Sequence, residues 1–209
     1  MKLRLAVFAV LFACASSCAR SPMPADAGVA TVETCPDVEG QILLPEGVLP
    51  HGDFESSDLP DRRRMSEFLV RMDEPSLWCG VQEADEEYRL ILDETWTDPR
   101  AIRVSRSGSD FVLHVVVIEG PGGFTRGPVK DRYSRQLTAA EWQQITTAID
   151  DLGFWQMTTS LDNLLGNDGT VWSIEARRNG RYHYVGRWQG ADGVEDAGRV
   201  FERLAAPRS

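Results

Sequence analysis

The sequence lacks an apolar run long enough to cross a bilayer, and it lacks an excess of positive charge. Its unbroken apolar stretch at residues 5–13 has nine residues, whereas a membrane-spanning helix needs about 20. The 22 basic residues are outnumbered by 32 acidic ones, which gives a net charge of −10. Because an acidic surface repels phosphate groups, we expect no nucleic-acid partner and no direct attraction to anionic membranes.

Motifs of catalysis and metal binding are also missing. His51 has no metal-site spacing to the cysteines around it, His114 lies inside an apolar run, and His183 lies among apolar residues. The sequence at 107–110 (SGSD) is not a G-x-S-x-G nucleophile motif, and the glycine cluster at 120–123 lacks the lysine of a phosphate-binding loop. We therefore expect no metal and no cofactor.

The first residues have the pattern of an export signal. Lys2 and Arg4 form a short positive start, the apolar run at 5–13 follows, and small residues come next. These are the dimensions of a signal peptide rather than of a membrane anchor. The alternative is an ordinary secreted or soluble periplasmic protein, whose precursor is cut after Ala27.

The residues Ala15-Ser16-Ser17-Cys18 resemble the lipobox of bacterial lipoprotein precursors, with Ala15 at the position usually held by leucine. In that class the cysteine is diacylated and becomes the mature N-terminus. The resemblance implies a signal peptide at 1–17, lipidation of Cys18 and a membrane partner through the acyl anchor. Ala19 is compatible with sorting to the outer rather than the inner membrane. Cys14 is a second candidate for the lipidated residue.

The cysteines divide into two pairs. Cys14 and Cys18 belong to the export segment, which leaves Cys35 and Cys79 in an oxidising compartment. Because no third ligand makes a metal site, we predict a Cys35–Cys79 disulfide. In the chain-entropy model a loop of this length stabilises the fold by about 4 kcal/mol. Two free thiols are the alternative.

The rest of the chain divides by composition. Residues 18–34 are small, polar and proline-containing, as in a flexible tether. Residues 35–86 are irregular and rich in proline, with one short helix predicted at 61–72. Residues 87–209 carry regular patterns. Removal of residues 1–17 takes away two basic residues, which leaves 20 basic and 32 acidic residues and a net charge of −12.

The regular region predicts an α+β fold with a mainly antiparallel sheet of about six strands. Strands are predicted at about 88–93, 101–106, 111–118, 129–137, 170–178 and 181–189. The run at 111–118 is apolar at both parities, so we expect it in the centre of the sheet. Capping boxes at Thr138 and Asp192 begin two amphipathic helices, which should lie on one face of the sheet.

Several blocks of the second half resemble a family of uncharacterised bacterial proteins, often lipoproteins or secreted, that share a DG-x-x-W-x-x-E…G-x-YH-x-V-x-RW core. The blocks are Leu137–Trp142, Phe154-Trp155, Asp168-Gly169 with Trp172 and Glu175, and Gly180 with Tyr182-His183, Val185 and Arg187-Trp188. The likeness covers about residues 87–205. It implies an envelope location and supplies no activity.

The hairpin around Asn179-Gly180 predicts which side chains share a face. A two-residue turn pairs Glu175 with Tyr184, so Glu175 and His183 point to opposite faces and cannot exchange a proton. One face carries aromatic rings beside charges, an arrangement that can hold a sugar ring or a peptide. This predicted ligand face consists of Glu175, Arg177, Tyr182, Tyr184 and Trp188.

These patterns predict a lipid-anchored envelope protein whose body lies in the periplasm and which binds or supports an envelope protein or glycan. We expect it not to be an enzyme. The alternative is a periplasmic hydrolase whose catalytic residues come together from distant parts of the sequence.

Overall fold

The computed structural model describes residues 35, 42–49, 57–80, 82–121, 127–159 and 168–207, all of which belong to one unit spanning 31–209. The longer elements follow the order α1 (Leu59–Arg71), β1 (Glu86–Glu94), β2 (Arg100–Ser107), β3 (Asp110–Ile118), β4 (Val129–Gln136), α2 (Ala139–Asp151), β5 (Thr170–Arg178), β6 (Arg181–Trp188) and α3 (Val194–Ala205). The predicted signal peptide, Cys18, the tether and His51 lie outside the described residues. The α+β class and the six antiparallel strands are confirmed.

The six strands form one sheet in the order β4-β3-β2-β1-β5-β6, and each neighbouring pair is antiparallel. The prediction that residues 111–118 form a central strand is wrong in position, because β3 is second from the edge. A strand that is apolar at both parities indicates that both faces of the sheet are covered there. It does not indicate the position of the strand within the strand order. The centre belongs to β1, which is buried from Glu86 to Leu92.

The first face of the sheet carries α2 and α3, as predicted. The capping box that begins α2 is present: Glu141 donates its backbone N–H to the Thr138 hydroxyl, and the Glu141 carboxylate accepts from the Thr138 N–H. Side chains of both helices form one apolar core with the sheet, including Ile145, Phe201 and Trp172.

The start of α3 differs from the prediction. Its N-cap is Gly193 with φ 82°, and no side chain caps the helix. Asp192 instead accepts a hydrogen bond from Nε of Arg187 at 2.9 Å. The capping box predicted at Asp192 is therefore wrong, because a buried arginine on the neighbouring strand is the stronger partner for this carboxylate.

The second face is covered in part by α1 and by residues 42–49. Phe68 and Leu69 of α1 pack with Leu44 against Ile91 and Val116 of the sheet. The region predicted as an N-terminal lobe thus shares its core with the sheet. The Cys35–Cys79 disulfide is present, and Cys79 is buried beside residues 42 and 76. Within the described parts of the chain, no helix is long and apolar enough to span a membrane.

Candidate functional site

A line of polar side chains crosses the second face, beside the apolar part that α1 covers. Each strand contributes one residue, and cross-strand pairing brings them into register because side chains alternate between faces. This polar row consists of Ser134, His114, Arg103, Arg89, Glu175 and Tyr184. The adjacent row in the same register includes Ser105, Glu87, Arg177 and Tyr182.

Arg89 is the centre of the polar row and is completely buried. Its guanidinium donates to the Glu175 carboxylate, to Glu74 at 3.3 Å and to the Pro75 carbonyl at 2.7 Å. Burial disfavours the charge of Arg89, but the carboxylates of Glu175 and Glu74 outweigh it and raise the arginine's pKa. Burial disfavours the charged form of Glu175 as well and so raises the pKa of this carboxyl. The guanidinium of Arg89 offsets only part of that shift. Arg89 and Glu175 form a desolvated ion pair, which their mutual contact and the contacts of Arg89 with Glu74 and Pro75 stabilise.

Two further arginines extend the contacts. Arg103 donates to Glu74 at 2.8 Å and to Glu87 at 3.1 Å. Arg177 donates to the other oxygen of Glu87 at 3.1 Å and to the Ala84 carbonyl. Three guanidinium groups and three carboxylates therefore balance. This ion network consists of Glu74, Glu87, Arg89, Arg103, Arg177 and Glu175.

A cleft of about 730 Å³ opens above this network. Its walls are the segment after α1, at residues 73–76, and the segment at 82–84, while its floor includes Glu87, Arg103 and Ser105. The volume lies in the range of small-molecule sites, which is roughly 300–1,000 Å³. Because the ion network fixes the floor side chains from below, the cleft is a preformed concave surface with polar lining.

His114 lies at one end of the cleft. Its Nδ1 is 2.8 Å from the Ser134 hydroxyl on β4. Burial, helped by the charge of Arg103, lowers the pKa of His114, so the imidazole is neutral at pH 7. Arg103 faces His114 across the strand pair. That neighbour opposes formation of an imidazolium, which a general base must carry during catalysis.

The predicted ligand face is not an open surface. The side chains of Glu175 and Tyr184 are 0% and 2% exposed, and Arg177 is 9% exposed. The Tyr184 hydroxyl shares a hydrogen bond with Ser173 at 2.8 Å, inside the cluster that α1 covers. The expectation that these three residues are offered to a ligand is wrong, because a segment far away in sequence covers them. Tyr182 and Trp188 are half-buried.

The opposite orientation of Glu175 and His183 is confirmed. Glu175 belongs to the polar row on the second face, whereas the His183 ring contacts Phe154 and Trp155 at centroid distances of 5.0 and 6.3 Å. Nε2 of His183 lies 3.0 Å from the Met157 carbonyl. His183 is thus a satisfied histidine at the edge of the core.

The remaining residues of the hairpin motif also hold the fold together. A Cβ on Gly169 would lie 2.5 Å from the Trp188 ring, so only glycine fits beneath that indole. Arg187 is 3% exposed and donates to the carbonyls of Thr158 and Thr159, which ties the chain after α2 to β6. These motif residues therefore stabilise the packing of the fold, and they do not line the cleft.

Sequence reasoning missed the residues that build the cleft. Arg89 and Arg103 occupy the more polar parity of their strands, which is the pattern of a solvent-exposed face, and His114 lies inside a run that is apolar at both parities. Glu74 follows the predicted helix in a segment without periodicity. The available signal was that arginines at the same parity of three strands, 89, 103 and 177, accompany glutamates at 87 and 175.

Among the described residues, no group of three or more His, Cys, Asp or Glu side chains is placed to hold a metal ion. Comparison with known proteins adds no constraint: no protein family, no curated protein and no solved structure matches this chain.

Proposed function

We propose that this protein is exported, anchored to a membrane of the cell envelope through a lipid on Cys18, and acts there by binding a polar ligand in the cleft. The export signal, the lipobox-like residues and the tether support the anchor. The Cys35–Cys79 disulfide is in keeping with an oxidising compartment. Ala19 favours the outer membrane, and the hairpin motif favours kinship with the uncharacterised envelope family.

The observation that carries the binding role is the cleft itself. The charged side chains at and beneath its floor are ion-paired with one another, so they do not need a charged ligand for neutralisation. The cleft nevertheless remains open, with carboxylate, hydroxyl and amide groups along it. A concave site with a rigid polar floor loses little conformational entropy when a ligand enters.

The anchor is tested by mass spectrometry of the mature N-terminal peptide. We expect a diacylated Cys18, and we expect Cys18→Ala to leave the protein in the soluble fraction of the envelope. An unmodified mature N-terminus at Gly28 would contradict the anchor. Fractionation of the two membranes then tests the sorting inferred from Ala19.

The binding role is tested by NMR on the purified mature protein. Soluble peptide and glycan fragments released from the cell envelope are added, and backbone amide shifts are followed. We expect shifts at residues 82–84 and at Ser105 and Ser107, which border the cleft. Shifts confined to the outer sides of α2 and α3 would contradict the cleft as the binding site.

The competing function is hydrolysis, and one contact supports it. The Ser134 hydroxyl lies at hydrogen-bond distance from the imidazole of His114, which lines the cleft, as a nucleophile would from its base. Against it stands Arg103, which destabilises the imidazolium. An ester or peptide substrate whose turnover disappears in Ser134→Ala, with unchanged stability, would favour the hydrolase over the binding protein.

A further inference from the structure

We infer that the ligand of the cleft carries a positively charged amino or guanidinium group on an aliphatic stem, as a lysine- or arginine-containing peptide does. The inference rests on the proposed binding role and adds the chemical class of the ligand. It follows from which charges around the cleft are already paired, which charge is left over, and where the apolar lining lies.

The positive charges at the cleft are already neutralised. Among the residues that the structure describes, Arg103 is the only arginine or lysine that lines the cleft, and two of its nitrogens donate to Glu74 and Glu87. Its side chain is 14% exposed. An anionic ligand would have to compete with these carboxylates for the guanidinium. His114 adds no charge at pH 7 because it is neutral.

One carboxylate along the cleft is left over once the ion pairs are taken into account. The lining includes Asp73, Glu74, Glu83 and Glu87, of which Glu74 and Glu87 belong to the balanced ion network. Asp73 is paired with Arg132 at 3.1 Å on the rim. Glu83 is exposed, and its carboxylate has no partner among the described residues. An incoming cation thus meets one unpaired carboxylate at the mouth of the cleft.

The neutral lining also offers acceptors near Glu83. The Gln82 amide nitrogen donates to the Cys79 carbonyl at 2.9 Å, which leaves the amide oxygen as the end available to a ligand. The Ser105 hydroxyl lines the floor. An ammonium group has three donors and a guanidinium five, so a surplus of acceptors suits a cation better than an anion.

The apolar part of the lining fits the stem of such a ligand. Val70 is 47% exposed, although it is a large hydrophobic residue, and it lines the cleft together with Pro75. The stems of lysine and arginine pack on apolar surface while their charged ends stay in water or at a carboxylate. The net charge of the chain, −10, attracts cations over longer distances as well.

The experiment compares three tripeptides on the mature protein: Ala-Lys-Ala, its neutral analogue Ala-Gln-Ala, and Ala-Glu-Ala, all with blocked termini. Binding is followed by amide shifts at residues 82–84 and Ser105. We expect the lysine peptide to bind most tightly and its affinity to fall with added salt, because an exposed charge contact is screened.

A matched pair of variants tests the residue. Glu83→Gln should weaken the lysine peptide about threefold to fivefold, the size expected of one exposed ion contact. Glu67→Gln makes the same change of charge on the exposed side of α1, outside the cleft, and should leave the affinity unchanged. Within the described part of the chain, neither glutamate side chain has an ion-pair partner that its replacement would leave uncompensated.

Two results would overturn the inference. Equal binding of the lysine and glutamine peptides, or tighter binding of the glutamate peptide at the same amides, would refute the cationic class while leaving the cleft as a binding site. No shift by any peptide at millimolar concentration would refute it as well. The proposed binding role then stands or falls separately, on the envelope fragments.

Discussion

The stability of the second face depends strongly on Arg89, because this charged side chain is completely buried and pairs with Glu74 and Glu175. Removing one partner of a buried pair costs about 3–5 kcal/mol, since the other charge is left without compensation. We expect Arg89→Met to lower the free energy of unfolding by about this amount in urea titrations. Arg64, which is 62% exposed beside Asp61, is the control, and Arg64→Met should cost less than about 1 kcal/mol.

The pair also predicts a rescue. The double variant Arg89→Met/Glu175→Leu replaces both charges by apolar groups, so no unpaired carboxylate remains at residue 175, and Glu74 keeps Arg103. It should be more stable than Arg89→Met alone. A double variant less stable than Arg89→Met would contradict the view that the unpaired carboxylate causes the loss.

The two described histidines predict how stability depends on pH. Burial, aided at His114 by Arg103 and at His183 by Arg181, lowers both pKa values in the folded state. The unfolded chain therefore binds more protons below about pH 6.5, and their contribution to stability, full above that pH, is lost as the pH falls. We expect the free energy of unfolding to fall less from pH 7.5 to 5.5 in His114→Gln/His183→Gln than in the wild type. Equal slopes would contradict this assignment.

At the scale of elements, α3 packs closely on β5 because Gly198 has no side chain where the helix contacts Trp172. A Cβ on Gly198 would lie 2.6 Å from the Trp172 ring, closer than atoms approach. Alanine favours a helix over glycine by about 1 kcal/mol, but overpacking costs about 1–3 kcal/mol. We expect Gly198→Ala to destabilise the protein despite the better propensity, as measured by thermal and urea unfolding.

A double-mutant cycle separates the clash from other causes. Trp172→Phe removes the part of the indole that a Cβ at residue 198 would meet, at the cost of lost burial. In that background Gly198→Ala should be neutral or stabilising. If it costs as much as in the wild type, the loss does not come from the contact with Trp172.

The individual helices and strands were predictable from the sequence, whereas the segments that cover the second face of the sheet were not. The hairpin register follows from a two-residue turn at Asn179-Gly180, and the start of α2 follows from Thr138 and Glu141, which are signals within a few residues. The position of α1 on the second face depends on contacts between residues 42–72 and strands up to about 140 residues away. Such contacts leave no periodic signal, so the sequence assigns Tyr184 to a ligand face, although its side chain is buried at 2% exposure.

The same reason explains why the cleft could not be predicted. Its floor comes from β1, β2 and β3, and its walls come from the segments before β1. Alternation tells which face a residue takes but not whether that face meets water, a helix or a partner charge. Glu74 pairs with Arg89 and Arg103 in the ion network, and only the tertiary fold determines its place after α1.

At the scale of the whole molecule, the disulfide holds the cover of the second face. Cys79 follows α1 and its turn, and Cys35 precedes residues 42–49, which pack beside α1 against the sheet. The bridge spans a sequence separation of 44 residues, so its loss should cost about 4 kcal/mol in the chain-entropy model. The strands pair among themselves without it, and the core under α2 and α3 contains neither cysteine.

Reduction should therefore loosen the cover before the sheet. In hydrogen exchange read by mass spectrometry, we expect Cys79→Ser, or the wild type with reductant, to lose protection at residues 42–49 and in α1, while β1 and β5 keep theirs. Ser76→Ala is the matched control, because it removes hydrogen bonds to the Leu43 carbonyl and the Cys79 N–H but leaves the bridge. Protection lost equally from the cover and from the central strands would mean that cover and sheet unfold as one unit, and that the second face has no stability of its own to lose.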